Sequence, residues 1–188
     1  MGNVIYGVKC LYWYVLGKIK ASVFYEKKYI SGKHFATWHS VGWRWVVNDR
    51  TACRRMRRNL DVPFPTSPTI KYAEPQNIIF DPDDLNNFHT DGCYYQAFAP
   101  ITIGKGTFIA PNVGIITANH DPADPDLHLK PQPVILGEKC WLGMNSVILP
   151  GVVLGDHTVV AAGAVVTKSF PEGHCILGGV PARILKTI

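Results

Sequence analysis

Residues 134–166 read VILGEKCWLGMNSVILPGVVLGDHTVVAAGAVV, and an aliphatic residue returns at every sixth place: Leu136, Leu142, Ile148, Leu154, Val160 and Val166. Upstream, ITIGKGTFIAPNVGI over 101–115 keeps the same beat at Ile103, Ile109 and Ile115. Two places before each beat stand Ile101, Thr107, Val113, Val134, Cys140, Ser146, Val152, Thr158 and Ala164, almost all small or β-branched. Just after the beat comes Gly104, Ala110, Gly137, Gly143, Gly155 or Ala161, and glycine there is expected to supply a positive φ for a turn. A six-residue beat fits neither a 3.6-residue helix nor one long flat strand. It fits short strands joined by tight turns, with an aliphatic side chain filling each corner. Such rungs support themselves only when stacked. The nine beats predict three turns of a triangular prism, an all-β parallel helix.

The same residues carry a resemblance. Residues 103–183, through IGKGTFIAPNVGIITANHDPADPD, PVILGEKCWLGMNSVILPGVVLGDHTVVAAGAVVTKSFP and GGVPARI, resemble the hexapeptide-repeat acyltransferases, in particular the maltose and galactoside O-acetyltransferase branch. The resemblance implies a left-handed parallel β-helix, acetyl-CoA as donor, no metal, and a homotrimer with active sites between subunits. The handedness comes from the resemblance alone, because parallel β connections are otherwise right-handed in nearly all cases.

Working outward, residues 1–60 hold 12 Lys and Arg against 2 Asp and Glu, whereas 61–188 hold 7 against 12. The net charge of +5 is therefore a basic head on an acidic prism. The head is also aromatic, with Tyr12, Trp13, Tyr14, Trp38, Trp43 and Trp45 among its rings. It reads as a partly helical extension that touches an anionic membrane face, packs on the trimer, or walls the acceptor site. Arg54, Arg55, Arg57 and Arg58 would form one face of a short solvent-side helix. No nucleic-acid-binding motif accompanies them. The apolar run 4–16 contains Lys9 and is too short to span a bilayer, and no secretion signal is expected. Five scattered cysteines without a CxxC pair read as reduced thiols, which places the chain in the cytoplasm, with peripheral contact at the inner membrane face as the extension's reading.

Three segments follow: the extension 1–60, a proline-rich lead-in and irregular first coil 61–100, and the hexapeptide coil 101–188 with a short C-terminal segment. Ile78–Phe80 should open the prism. Over 81–100 the beat frays into DPDDLNNFHTDGCYYQAFAP, polar where a core wants aliphatics, which points to function. A second break falls between Ile115 and Leu136, where the spacing runs half a hexad out of register and throws out positions 116–135 as a loop.

His120 lies near the root of that loop. Acyl transfer to an alcohol needs a base, and imidazole can take the hydroxyl proton and return it to the departing thiolate. Thr117-Ala118-Asn119-His120 matches the position where the resembled family has its catalytic His. Asp121 could orient it, and the backbone N–H of Met144 could serve the oxyanion. By resemblance Met144 and Ala162 hold the pantetheine arm, and Thr167, Lys168, Arg183 and Lys186 meet the CoA phosphates. The lesser alternative for these residues is a solvated C-terminal cap on the prism. Lys186 stands where the family often has Arg. Trp141 lines the acceptor pocket by resemblance, or simply covers the prism's outer face.

The sugar-gripping Asn and Asp of the relatives have no match here. His89 and Asp91 are the candidates for acceptor binding, with a solvated HTDG turn as the alternative. The expected reaction is O-acetylation of a sugar or glycan-type acceptor. The competing readings are a γ-carbonic-anhydrase-like zinc lyase, which would need a histidine set such as His89, His120 and His128 on adjacent rungs, and a non-catalytic β-helix module. Serine acetyltransferase lacks its long helical domain and Gly-rich loop here.

Overall fold

A computed structural model describes residues 2–188, with side chains from Ile5 onward. The chain divides into two units, 1–68 and 69–188.

The first unit is built on α1 (Gly2–Phe24) and α2 (Val41–Met56). Cys10, Gly17 and Ala21 recur on one face of α1 at helical spacing and are buried. Gly17 lets Trp43 approach, since a Cβ there would meet the indole at 3.2 Å. The Trp43 ring meets Tyr14 edge-on at 5.3 Å, and its Nε1–H donates to the Thr37 carbonyl. α2 ends at Met56, with Arg57 in the left-handed region and the Arg58 N–H returning to the Cys53 carbonyl. The four arginines thus straddle a helix end instead of sharing one helical face. Residues 61–68 also complete this unit: Phe64 is buried against Tyr29, and the Pro63 carbonyl accepts from Glu26 N–H. No described helix is long and apolar enough to cross a membrane.

The second unit is a left-handed parallel β-helix. Its strands are β1 (Lys71–Tyr72), β2 (Ile78–Phe80), β3 (Tyr94–Tyr95), β4 (Ile101–Ile103), β5 (Phe108–Ile109), β6 (Gly114–Ile115), β7 (Val134–Leu136), β8 (Trp141–Leu142), β9 (Val147–Ile148), β10 (Val153–Leu154), β11 (Val159–Val160), β12 (Val165–Val166), β13 (Cys175–Gly178) and β14 (Arg183–Thr187). They form three faces, ordered β1-β3-β6-β9-β12, β2-β4-β7-β10 and β5-β8-β11-β13-β14. All pairs are parallel except the closing β13–β14. The coil therefore opens at Lys71, one strand earlier than Ile78.

All nine beat residues are 4% exposed or less, and all nine residues two places before them are buried. Hydroxyls admitted to this interior are satisfied locally. Ser146 Oγ donates to the Gly143 carbonyl, Thr158 Oγ1 to Gly155 and Thr107 Oγ1 to Gly137. Cys140 points inward too, and burial pushes its thiol pKa up.

The glycines after the beat serve a different end from the one expected. Positive φ falls two residues later, at Gly106, Asn112, Lys139, Asn145, Gly151, His157 and Gly163. Gly104, Gly137, Gly143 and Gly155 are absent from that set. A Cβ on any of them would stand within 2.7 Å of the next coil's backbone. They are spacers that let coils stack.

The frayed stretch is also structural in part. Over Pro82–His89 the chain makes 3-10 turns, and the buried Asp84 and Asn87 side chains replace a strand's hydrogen bonds. Asp84 Oδ2 accepts from Gly106 N–H; Asn87 accepts from Ile109 N–H and donates to the Thr107 carbonyl. Leu85 and Ala97 are buried, in phase with the beat.

Candidate active site

Each regular coil advances three hexads, as in Val147 against Val165, but Gly114 pairs with Val147, five and a half hexads on. The surplus is the loop. Ile116 N–H still bonds Ile148, so the chain leaves at Thr117. Its neck is tied tightly. Gln96 Oε1 accepts from the N–H of Thr117 and of Ala118 at 2.9 and 2.8 Å, and Thr117 is fully buried. Gln132 N–H closes the return on the Thr117 carbonyl at 2.7 Å.

Beyond the neck the loop is a small hairpin. Leu129 N–H donates to the Asn119 carbonyl and Asp121 N–H to the Leu127 carbonyl. Aspartate side chains turn its tip: Asp121 accepts from Ala123 N–H and Asp124 from Asp126 N–H. This pairing brings His120 opposite His128, with ring centroids 4.3 Å apart.

His120 Nδ1 lies 2.6 Å from the Pro125 carbonyl oxygen. A carbonyl can only accept, so Nδ1 carries the hydrogen in this contact. The orienting group is thus a backbone carbonyl further along the loop, while Asp121 is occupied by the turn. His120 itself is exposed.

The other candidates distribute over the prism's edges. Met144 lies on the turn after β8, and Ala162 lies one full coil above it. The Met144 carbonyl accepts from Gly163 N–H, whereas the N–H of Met144 and of Ala162 has no acceptor among the described residues. Trp141 projects outward, 57% exposed, in a row with Phe108, Val159, Ile176 and, on the last strand, Lys186. Arg183 sits in register with Gly178 on the same final hairpin. Thr167 falls in the column of Ile116 and Leu149, the corner from which the His120 loop departs. Lys168 follows it, its ammonium 5.6 Å from the Phe170 ring centre.

Within one chain, then, His120, Thr167 and Lys168 occupy the corner after the β6-β9-β12 face. Met144 and Ala162 occupy the corner before it. Asp91 shares that second corner: its carbonyl accepts from Asn112 N–H and its Oδ1 from the Thr69 hydroxyl. His89 stands two residues earlier, at the end of the 3-10 turns over Pro82–His89. No group of three or more His, Cys, Asp or Glu placed to hold a metal occurs among the described residues. The sequence pattern gives no sign of Gln96 or Pro125, and it offers His128 only as a candidate metal ligand. Its place beside His120 could have been found, through its in-phase position across a loop with two turn-forming Asp-Pro pairs.

Residues 133–168 match the bacterial transferase hexapeptide family (six repeats). A protein of Escherichia coli (strain K12), provisionally named a lipopolysaccharide biosynthesis O-acetyl transferase, is 35% identical over 59% of this chain and 61% of its own length. The galactoside O-acetyltransferase of the same strain is 37% identical over 55% of each chain. The chain spans about half to three-fifths of the length of the curated relatives it matches. Among solved structures, a hexapeptide-repeat containing acetyltransferase from Vibrio cholerae superposes with a TM-score of 0.56 at 32% identity, covering 65% of this chain and 69% of that one. With the coil, the loop position and this likeness together, the chain belongs to the hexapeptide-repeat acetyltransferases.

Proposed function

We propose that the protein moves an acetyl group from acetyl-CoA to a hydroxyl of a sugar or glycan-type acceptor, with His120 as general base. The observation that carries this reading is the Pro125 carbonyl, which takes the Nδ1 hydrogen of His120 and leaves Nε2 as the ring nitrogen for proton transfer. His120 Nε2 takes the acceptor's hydroxyl proton as its oxygen bonds to the thioester carbon. The same nitrogen returns that proton to the sulfur as the C–S bond breaks, so the histidine ends as it began. The free N–H of Met144 donates to the thioester oxygen as it gains negative charge. Met144 and Ala162 border the pantetheine arm, and Thr167, Lys168, Arg183 and Lys186 supply cationic and hydroxyl donors for phosphate. The sugar class of acceptor follows the names of the galactoside and lipopolysaccharide relatives. Trp141 is an apolar wall for a sugar ring, and His89 and Asp91 are its polar partners.

A single chain holds the base and the oxyanion donor at opposite edges of one face. A trimer, in which one subunit's His120 loop lies against the next subunit's Met144 edge, unites them. The exposed Ile79, Phe108, Ile135 and Trp141 offer apolar surface for such packing. Calorimetry with acetyl-CoA tests the donor half without knowledge of the acceptor. Binding should survive in His120→Ala and weaken in Lys168→Ala, while thiol release with a glycan panel should vanish in His120→Ala. Failure of the wild-type protein to bind acetyl-CoA would overturn the reading.

A further inference from the structure

Helix α1 is apolar on two opposite sides. One side, through Cys10, Gly17 and Ala21, is buried in the first unit. The other carries Ile5, Val8, Tyr12, Val15, Ile19 and Val23, recurring every three or four residues as one stripe. These six side chains are between 51% and 67% exposed. A stripe of this length left bare is unusual for a water-facing helix and marks a surface made to be covered.

The charges around it select what covers it. α1 contains no Asp or Glu. On the helical net Lys9 neighbours Ile5 and Tyr12 along one edge, and Lys18 neighbours Val15 along the other. The third lysine, Lys20, is turned inward to the Val47 carbonyl and the Thr51 hydroxyl. Arg54, Arg55, Arg57 and Arg58 stand exposed at the end of α2 in the same unit, which holds twelve Lys and Arg against three Asp and Glu over residues 1–68. A second copy of the same unit would set this positive rim against itself. An anionic lipid surface offers hydrocarbon to the stripe and negative headgroups to the lysines at its edges.

We propose that α1 is an interfacial helix that lies along an anionic bilayer surface, its Ile5–Val23 stripe among the acyl chains and Lys9 and Lys18 at headgroup level. With no described helix long and apolar enough to cross a membrane, the contact is parallel to the bilayer. This inference is independent of the acetyl-transfer reading, and its test does not use activity.

The experiment is co-sedimentation of the full chain with vesicles of phosphatidylcholine alone and of phosphatidylcholine mixed with phosphatidylglycerol, at low and high salt. Sedimentation velocity is run on the same samples without lipid. Wild type should bind the phosphatidylglycerol vesicles and be released by salt. Val15→Glu/Ile19→Glu, which alters only exposed side chains, should bind about tenfold more weakly or worse. Lys9→Glu/Lys18→Glu, with the stripe intact, should lose the preference for phosphatidylglycerol. Absence of wild-type binding, or equal binding by all three proteins, overturns the proposal. So does a Val15→Glu/Ile19→Glu protein that dissociates into smaller species while binding vesicles like wild type, since the stripe would then belong to a subunit contact.

Discussion

Replacing Gly143 by alanine separates two physical accounts of the spacer glycines, because they give opposite signs. Gly143 does not adopt positive φ. Judged by chain entropy alone, alanine there would stabilise the fold by about 0.4–1 kcal/mol. The stacking geometry says otherwise: an added Cβ would stand 2.6 Å from Ala162 N and 2.7 Å from Val160 O, with Ala161 C at 3.0 Å. All three are backbone atoms, so no side chain can swing away. Relief requires the two coils to part at this corner, which stretches the bonds from Gly143 N–H to Val160 O at 2.8 Å and from Gly163 N–H to Met144 O at 2.9 Å. Two such bonds at about 0.5–1.5 kcal/mol each, with residual strain and less the entropy gain, give a net loss of about 2 kcal/mol. The assay is equilibrium urea unfolding at fixed protein concentration, since assembly makes stability concentration-dependent. Gly163→Asn is the control. Gly163 has φ +71° with nothing within 4 Å of a Cβ, and Asn112 and Asn145 hold the same column with φ 59°. That variant should stay within about 0.5 kcal/mol of wild type. A Gly143→Ala protein as stable as wild type would refute the stacking argument.

Removing the neck acceptor with Gln96→Ala leaves the N–H groups of Thr117 and Ala118 without their partner. Acetyl transfer should fall at least about tenfold while acetyl-CoA binding by calorimetry is kept, and Gln96→Glu, which can still accept both, should recover most of the rate. His128→Phe preserves a ring against His120, so kcat should change little. His128→Lys places a fixed cation there and should move the acid limb of the kcat/KM–pH profile to lower pH, because a protonated neighbour is disfavoured. All five cysteines are free and buried, and burial pushes the Cys53 thiol up to about 11 and raises Cys93 and Cys140 as well. A thiol whose folded pKa exceeds its unfolded value keeps its full contribution below the unfolded pKa of 9.0. That contribution is lost as pH rises through about 11, so urea midpoints should fall over that interval and native labelling at pH 8 should be negligible until denaturant is added.

The coil was legible because its signal is local and repeated. Each corner needs one buried aliphatic residue, and Leu136 through Val166 declare themselves without reference to distant contacts. What depends on the next coil was harder to read. Gly143 is a glycine because of Ala162, a full turn away, and the same requirement looks in sequence like a need for positive φ. Asp84 and Asn87 break the beat as a binding residue would, yet they end on the backbone of Gly106, Thr107 and Ile109. The root of the His120 loop was visible as a spacing defect. Its orienting group was not, because Pro125 acts through a carbonyl that any residue possesses. The outward stripe of α1 was hidden because both faces of that helix are apolar, so composition could not say which one packs.

The Gln132–Thr117 closure makes the loop a cartridge. The chain departs and re-enters at adjacent points, and the rungs on either side, Gly114 with Val147 and Ile115 with Ile148, pair as though the intervening insert did not exist. Length and composition between Ala118 and Pro131 are therefore free variables for the scaffold. A different insert can reshape this corner of the surface while the column of buried aliphatics beneath it stays the same.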